Sequence, residues 1–232
     1  MFQHFGYKIT GNKFLLIILF LYMTDERKGK FISIDEDINA AVRAASEIFR
    51  RNGVFAYPTD TIYGLGGNPF SREVVNRIAN IKERDEKKKF IFLVQNLNTL
   101  FRYSEVELDK HHDFLHKIWP NPISIILNLN EESARLLGQP TAAFRIPHHK
   151  FCKILLAEID RPLISTSINR AGGEPINERD VINYDFGSEL DAIFFTEKKV
   201  VAKSSTLIDL TGTAPKLLRE GAVKFKDIIE VY

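Results

Sequence analysis

From Asp37 to Asn52 the apolar residues Ile38, Ala41, Val42, Ala45, Ile48 and Phe49 recur at steps of three and four, with Arg43, Glu47 and Arg50 on the opposite side. That spacing predicts an amphipathic helix. Asp35 or Asp37 can cap it, Arg50 and Arg51 suit its negative end, and Gly53 is placed to stop it. The period then changes. Val54-Phe55-Ala56-Tyr57 is a continuous apolar run of strand length, and Pro58 ends it because proline cannot donate to a ladder. Ser71 caps a second predicted helix, which turns Val74, Val75, Ile78 and Ile81 inward and delivers Lys82 and Arg84 to its C-terminal end. Helical spacing returns over 97–103, 110–118 and 151–159. Strand-like runs occupy 90–94, 123–129, 141–146, 162–166, 192–196 and 206–210, and a short helix closes the chain. With no internal repeat and no long linker, this pattern predicts one α/β domain with a mixed sheet and several polar strand ends.

Those polar ends hold the candidate chemistry. Ala56 to Gly67 reads AYPTDTIYGLGG: a strand, then hydroxyls and a carboxylate, then three glycines. Such a stretch is either an ordinary strand–loop–helix connection or the mouth of a small-molecule site. Its glycines match neither the dinucleotide fingerprint nor the phosphate loop, so it names no ligand. A second mouth is Ser165-Thr166-Ser167-Ile168-Asn169 with Gly172-Gly173, and Ser204-Ser205 precedes another strand. The run from Lys82 to Lys89 is charge-dense. It is either a solvated loop or, since it joins a helix to a strand, a cluster of cations for a polyphosphate. Arg145 ends an otherwise apolar strand (Ala142, Ala143, Phe144, Ile146), a costly place for an unpaired charge, and calls for an anionic partner.

Composition narrows the classes. With 232 residues, 44% of them hydrophobic and 18 of them Phe, the chain can bury a sizeable core. The formal charge of +2 gives no bulk pull toward nucleic acid or an anionic membrane, so any anion binding must be local. One cysteine, Cys152, excludes an internal disulfide, and its apolar neighbours predict a buried helical thiol rather than a nucleophile. His111, His112 and His116 include a pair four residues apart, but no HExxH glutamate accompanies them, and their charged neighbours predict a solvated face. Near the N-terminus, the uncharged run Phe14 to Met23 is about half the length that spans a bilayer. TDERKGK follows it where a signal peptide would place a small-residue cleavage site. Residues 1–30 are therefore read as an extension, or as sequence upstream of a start at Met23, and residues 31–232 as the functional domain.

Taken in order, PTDTIYGLGG, Lys82-Glu83-Arg84, WPNPISIIL, TAAFRIP, STSIN with a following glycine, and STLIDLTG ending in LLREG resemble the YrdC/TsaC family, the L-threonylcarbamoyladenylate synthases. The resemblance runs from about Ile38 to Gly221. It implies a YrdC-like fold: a twisted, open, mixed parallel and antiparallel sheet with flanking helices around a basic concave pocket. It also implies a cytoplasmic nucleotidyltransferase that makes threonylcarbamoyl-AMP and pyrophosphate from L-threonine, bicarbonate and ATP. A separate tRNA threonylcarbamoyl transferase complex would consume the product, with weak double-stranded RNA (tRNA) contact and no membrane. By the same resemblance Thr61, Arg145, Ser165 and Ser205 face the threonine. Lys82, Arg84, Lys88, Thr141, Ser167, Asn169 and Arg219 face the nucleotide. Lys82 and Arg84 would be the catalytic cations, and Mg2+ would come with the phosphates rather than on protein ligands. The family's usual proline after Lys-x-Arg is Asp85 here, and the histidine some members carry at the end of the next strand is Leu93. The segment Phe90 to Val94 and Ser165-Thr166-Ser167 look partly like the YciO paralogues. They keep open an alternative in which nucleotide or structured RNA is bound without adenylate synthesis.

Overall fold

The computed structural model describes residues 30–83, 90–200 and 203–232. In chain order the strands are β1 (Lys30–Ser33), β2 (Phe55–Tyr57), β3 (Gly64–Gly66), β4 (Ile91–Leu93), β5 (Ser104–Glu105), β6 (Ile123–Leu129), β7 (Thr141–Arg145), β8 (Leu163–Ser167), β9 (Ala192–Phe195), β10 (Thr206–Asp209) and β11 (Lys216–Arg219). The helices are α1 (Ile38–Arg50), α2 (Arg72–Ile81), α3 (Leu97–Phe101), α4 (Asp109–Ile118), α5 (Glu131–Leu137), α6 (Lys150–Ile159), α7 (Arg179–Phe186) and α8 (Phe225–Ile229). Among the described residues the strands form one sheet in the order β1-β9-β2-β3-β8-β4-β7-β6-β10-β11, with β5 beside β6. The pairs β1–β9, β9–β2, β4–β7 and β6–β10 are parallel and the others antiparallel. This is the mixed open α/β sheet that the sequence predicts.

Local chemistry sets the element ends. Asp37 Oδ1 accepts the backbone N–H groups of Asn39 and Ala40 at 2.9 and 3.0 Å and caps α1. The left-handed residue after this helix is Asn52, with φ of 58°, rather than Gly53. Ser71 caps α2 through the N–H of Val74. Several short elements escape the hydrophobic pattern: β1, β5, β11, α5 and α7. Helix α5 is seven residues, capped by Asn130 and closed by Gly138 at φ 65°. That is too short for a helical period to show. The apolar run 14–23 and most of the 82–89 charge run lie outside the described residues. Among the described residues no helix is long and apolar enough to cross a membrane.

The largest local departure is β3. The glycine stretch expected to be a loop is a strand, paired antiparallel with β2 on one side and β8 on the other. Its glycines make room for side chains rather than for sharp turns. A Cβ on Gly66 would lie 2.6 Å from the Tyr57 ring. That ring is fully buried, and its hydroxyl donates to the Ile164 carbonyl at 3.1 Å, so it cannot step aside.

Strand alternation divides the core in two. Val54, Ala56, Phe92, Phe144, Ile125 and Ile164 face one side and pack with α2 and α4. Phe55, Tyr57, Leu93, Leu163 and Phe194 face the other, beneath α1 and α6. Helices α1 and α6 lie over the β9–β2–β8–β4 side of that second face. Further along, the same face carries polar residues and opens into a cavity.

Replacing Gly66 with alanine should destabilise the protein by about 1–3 kcal/mol through overpacking against Tyr57. Urea unfolding would measure it, and trimming the ring with Tyr57→Leu in the same chain should recover part of the loss.

Candidate functional site

The floor of the cavity follows from strand register. Ser165 stands opposite Ile91, Ile91 opposite Ala143, and Ala143 opposite Ile126. Residues directly opposite share a face, so this row crosses four strands on the side that α1 and α6 leave open. Ser167, paired with Gly64, and Arg145 stand two residues along from the row on β8 and β7. The loop Thr59 to Tyr63 walls one end, and Ser204, Ser205, Leu207 and Arg219 wall the other. The enclosed volume is about 280 Å³. Among the described residues, the charged groups of this lining are Arg145 and Arg219, and it has no carboxylate.

Arg145 is buried, with 5% of its side chain exposed. The anionic partner that its position demands is internal: Nη2 donates to Asp60 Oδ1. Nη1 donates to Thr61 Oγ1 at 2.9 Å. Thr61 in turn lies 3.0 Å from Thr59 Oγ1, which donates to the Ile62 carbonyl at 2.7 Å. The PTDT segment therefore holds one guanidinium from two consecutive residues. Nearby, burial pushes the Cys152 thiol and the Tyr57 hydroxyl well above their ordinary values and keeps both protonated. The Cys152 sulfur sits 3.5 Å from the Pro58 carbonyl, a packed thiol as its sequence context predicts. Burial lowers the pKa of His149 beside it.

A second cation cluster joins α2 to β8. Lys82, the residue after α2, is 3% exposed. Its Nζ donates to the Ser167 carbonyl, to Asn169 Oδ1 at 2.8 Å and to the Asn169 carbonyl at 3.2 Å. Ser167 Oγ donates to Asn169 Oδ1 at 2.6 Å. The ammonium thus ties the end of β8 to the turn that follows it, and Ser167, the last residue of β8, reaches the cavity lining.

At the far wall, Ser205 Oγ lies 2.8 Å from Ser124 Oγ, both buried, and Arg219 Nη2 donates to the Ser205 carbonyl at 2.9 Å. The structure therefore brings Thr61, Arg145, Ser165, Ser167, Ser205 and Arg219 to one cavity, with Lys82 and Asn169 joined to it through Ser167. Thr141 stands at the start of β7, opposite Asn128, on the same face as Ala143 but beyond the lining. Arg84 and Lys88 lie outside the described residues. Asp60 and Ser124 are the polar partners that sequence reading left unassigned. Asp60 sits within the motif itself, whereas Ser124 reads as one polar position in an apolar strand. The α4 histidines do not share the solvated face their neighbours predict: His111 is buried with Nε2 3.1 Å from the Tyr232 hydroxyl, His112 is half-buried with Nε2 2.8 Å from the Val106 carbonyl, and His116 is exposed.

The sequence profile of the Sua5, YciO and YrdC proteins, described as "Telomere recombination", matches residues 47–221. The chain belongs to this family. It is 31% identical over 160 residues to a threonylcarbamoyl-AMP synthase of Coxiella burnetii, covering 68% of this chain and 86% of that protein. It is 29% identical over 193 residues to a threonylcarbamoyl-AMP synthase of Pyrococcus abyssi, covering 82% of this chain but 56% of that one. Among solved structures, P. abyssi Sua5 complexed with L-threonine superposes with a TM-score of 0.79 at 26% identity, over 87% of this chain and 60% of that one. E. coli YciO superposes with a TM-score of 0.77 at 27% identity, over 87% of this chain and 98% of that one. The Sua5/YrdC-family chain thus spans nearly all of the YciO structure and about three-fifths of the Sua5 structure.

Substituting Lys82 with alanine removes the donor shared by Ser167 and Asn169, and should cost roughly 2–3 kcal/mol of stability. A lower urea midpoint with an unchanged denaturant slope is the expected result. An unshifted midpoint would remove Lys82 from its organising role.

Proposed function

We propose that this Sua5/YrdC-family chain is an L-threonylcarbamoyladenylate synthase, a nucleotidyltransferase that converts L-threonine, bicarbonate and ATP to threonylcarbamoyl-AMP and pyrophosphate. The observation that carries the reading is a buried arginine and threonine hydroxyl, 2.9 Å apart, in the wall of a hydroxyl-lined cavity. They occur in a chain whose relatives are named threonylcarbamoyl-AMP synthases. A guanidinium with spare N–H groups suits an amino-acid carboxylate. The hydroxyls of Thr61, Ser165 and Ser205 donate and accept, and so suit a hydroxy amino acid.

The chemistry asks for no protein nucleophile. The amine of threonine attacks bicarbonate, a C–N bond forms as water leaves with the amine proton, and an oxygen of the resulting carbamate attacks the α-phosphate as pyrophosphate leaves. Protein groups need only align two small anions with a triphosphate and stabilise the charge that develops. In this reading Arg145, Thr61, Ser165 and Ser205 take the threonine. Ser167, Asn169, Arg219, Lys82, Arg84, Lys88 and Thr141 serve the nucleotide side. Lys82 acts there partly by tying the end of β8, with Ser167, to the turn that follows it. Mg2+ belongs to this proposal as a companion of the triphosphate, because the described lining has hydroxyls and guanidiniums but no carboxylate to ligate it. The product would pass to a tRNA threonylcarbamoyl transferase complex in the cytoplasm, with weak tRNA contact.

The test is pyrophosphate release from ATP and bicarbonate with and without L-threonine. Release that requires threonine, with serine much poorer, is expected. ATP binding without such release would favour the YciO-like reading. Arg145→Lys keeps a cation against Asp60 but loses the planar fork, and should raise the KM for threonine about tenfold or more. An unchanged threonine KM would remove Arg145 from the substrate site.

A further inference from the structure

The Asp60–Arg145 pair stands in the partition between two cavities. Arg145 and Thr61 line the one described above. Asp60 lines a different one, of about 600 Å³, together with Asp35, His149, Lys150, Thr196 and Lys198, and Thr59 borders both. The guanidinium is therefore gripped from behind by the carboxylate and presents another edge to the first cavity. The pairing is also incomplete. An arginine and a carboxylate can meet fork on fork through two parallel hydrogen bonds. Here only Nη2 and Oδ1 meet, while Arg145 Nε and Asp60 Oδ2 are both buried without a hydrogen-bond partner. Side-chain exposure is 5% for Arg145 and 11% for Asp60.

From this geometry we infer that Asp60 is a positioning residue for the substrate carboxylate: its contact keeps Arg145 charged and aimed, so that the part of the guanidinium lining the first cavity can take a ligand oxygen. The inference rests on the synthase reading above. A buried guanidinium with no anion would be costly and would turn toward the water of either cavity. The contact with Asp60 holds it in the partition instead, with its other side toward the first cavity. Asp60 also repels an incoming carboxylate, but it stands behind the guanidinium, farther from the ligand than the cation is. Alignment therefore outweighs repulsion, and removing the charge should weaken threonine binding rather than strengthen it.

The experiment measures kcat and the KM values for L-threonine and ATP in the full chain, comparing wild type, Asp60→Asn, Arg145→Lys and the double variant. Asp60→Asn is expected to raise the threonine KM about tenfold, with kcat and the ATP KM within about twofold. In the Arg145→Lys background the same change should add less than twofold, because its effect passes through the arginine. An unchanged or lower threonine KM in Asp60→Asn would overturn the inference, as would an equal increase in both backgrounds. Thermal unfolding shows whether each variant is folded. Should Asp60→Asn not fold, Asp60→Glu keeps the charge but displaces it by a methylene: a raised threonine KM supports the inference and a wild-type KM overturns it. If wild type releases no threonine-dependent pyrophosphate, the synthase reading fails. Calorimetric titration with L-threonine and L-threoninamide then tests the positioning role directly. Asp60→Asn must weaken binding of the acid and spare the amide, and absence of threonine binding to wild type overturns both.

Discussion

The site depends on keeping a guanidinium charged inside a sheet. Arg145 lies at the end of β7, between the apolar residues Phe144 and Ile146, where removal from water costs several kcal/mol unless oxygens replace it. The chain supplies two such oxygens from one short segment, Asp60 and Thr61, and this requires the turn after β2 to fold across the strand ends. Proline at position 58, the hydroxyl of Thr59 bonded back to Ile62, and the close return of β3 against β2 all serve that placement. Lys82 follows the same rule on the other side of β8. Its ammonium is buried, and carbonyl and amide oxygens of residues 167–169 surround it. Cations in this fold stay because backbone and side-chain oxygens have been brought to them.

Much of this was legible in the sequence. The 3.6-residue period of α1, the cap at Ser71, the apolar runs of β6 and β7, and the single arginine in a hydrophobic strand all reflect local rules. The mixed sheet followed from the alternation of those elements. The glycine stretch is harder to read, because small residues serve two purposes that look alike in one dimension. Gly64 and Gly66 form a strand thin enough for the Tyr57 ring to lie across it, and Gly64 also lines the cavity. The need for an anion at Arg145 was visible. That its partner is Asp60 was not, because strand periodicity carries no information about which distant loop meets which strand end. Ser124 was missed for the same reason, since its only signal is one hydroxyl in an apolar strand.

The relatives frame how far the chain reaches. It matches nearly all of a YciO structure and a smaller share of the Sua5 structure, with similar superposition on both. The matched part covers 87% of this chain in both superpositions. The fold alone therefore does not separate the two readings. They divide on whether the hydroxyls and cations along the open half accept threonine beside a nucleotide.

The contacts that build the cavity also bear on how the chain acquires it. Thr61 with Arg145, Lys82 with Asn169, and Ser124 with Ser205 are separated by 84, 87 and 81 residues respectively. Each brings together segments more than a third of the chain apart, and each crosses strands that must already be paired. Loop-closure entropy is spent on these meetings before they return any stabilisation, a pattern associated with slow, late-forming structure. On a ribosome, the first half of the site would emerge long before the strands that complete it. Until β8 and β10 arrive, the PTDT segment has no arginine of β7 held in place and no serine wall opposite. Competence to bind therefore arrives with the last strands of the sheet, and not gradually as the chain lengthens.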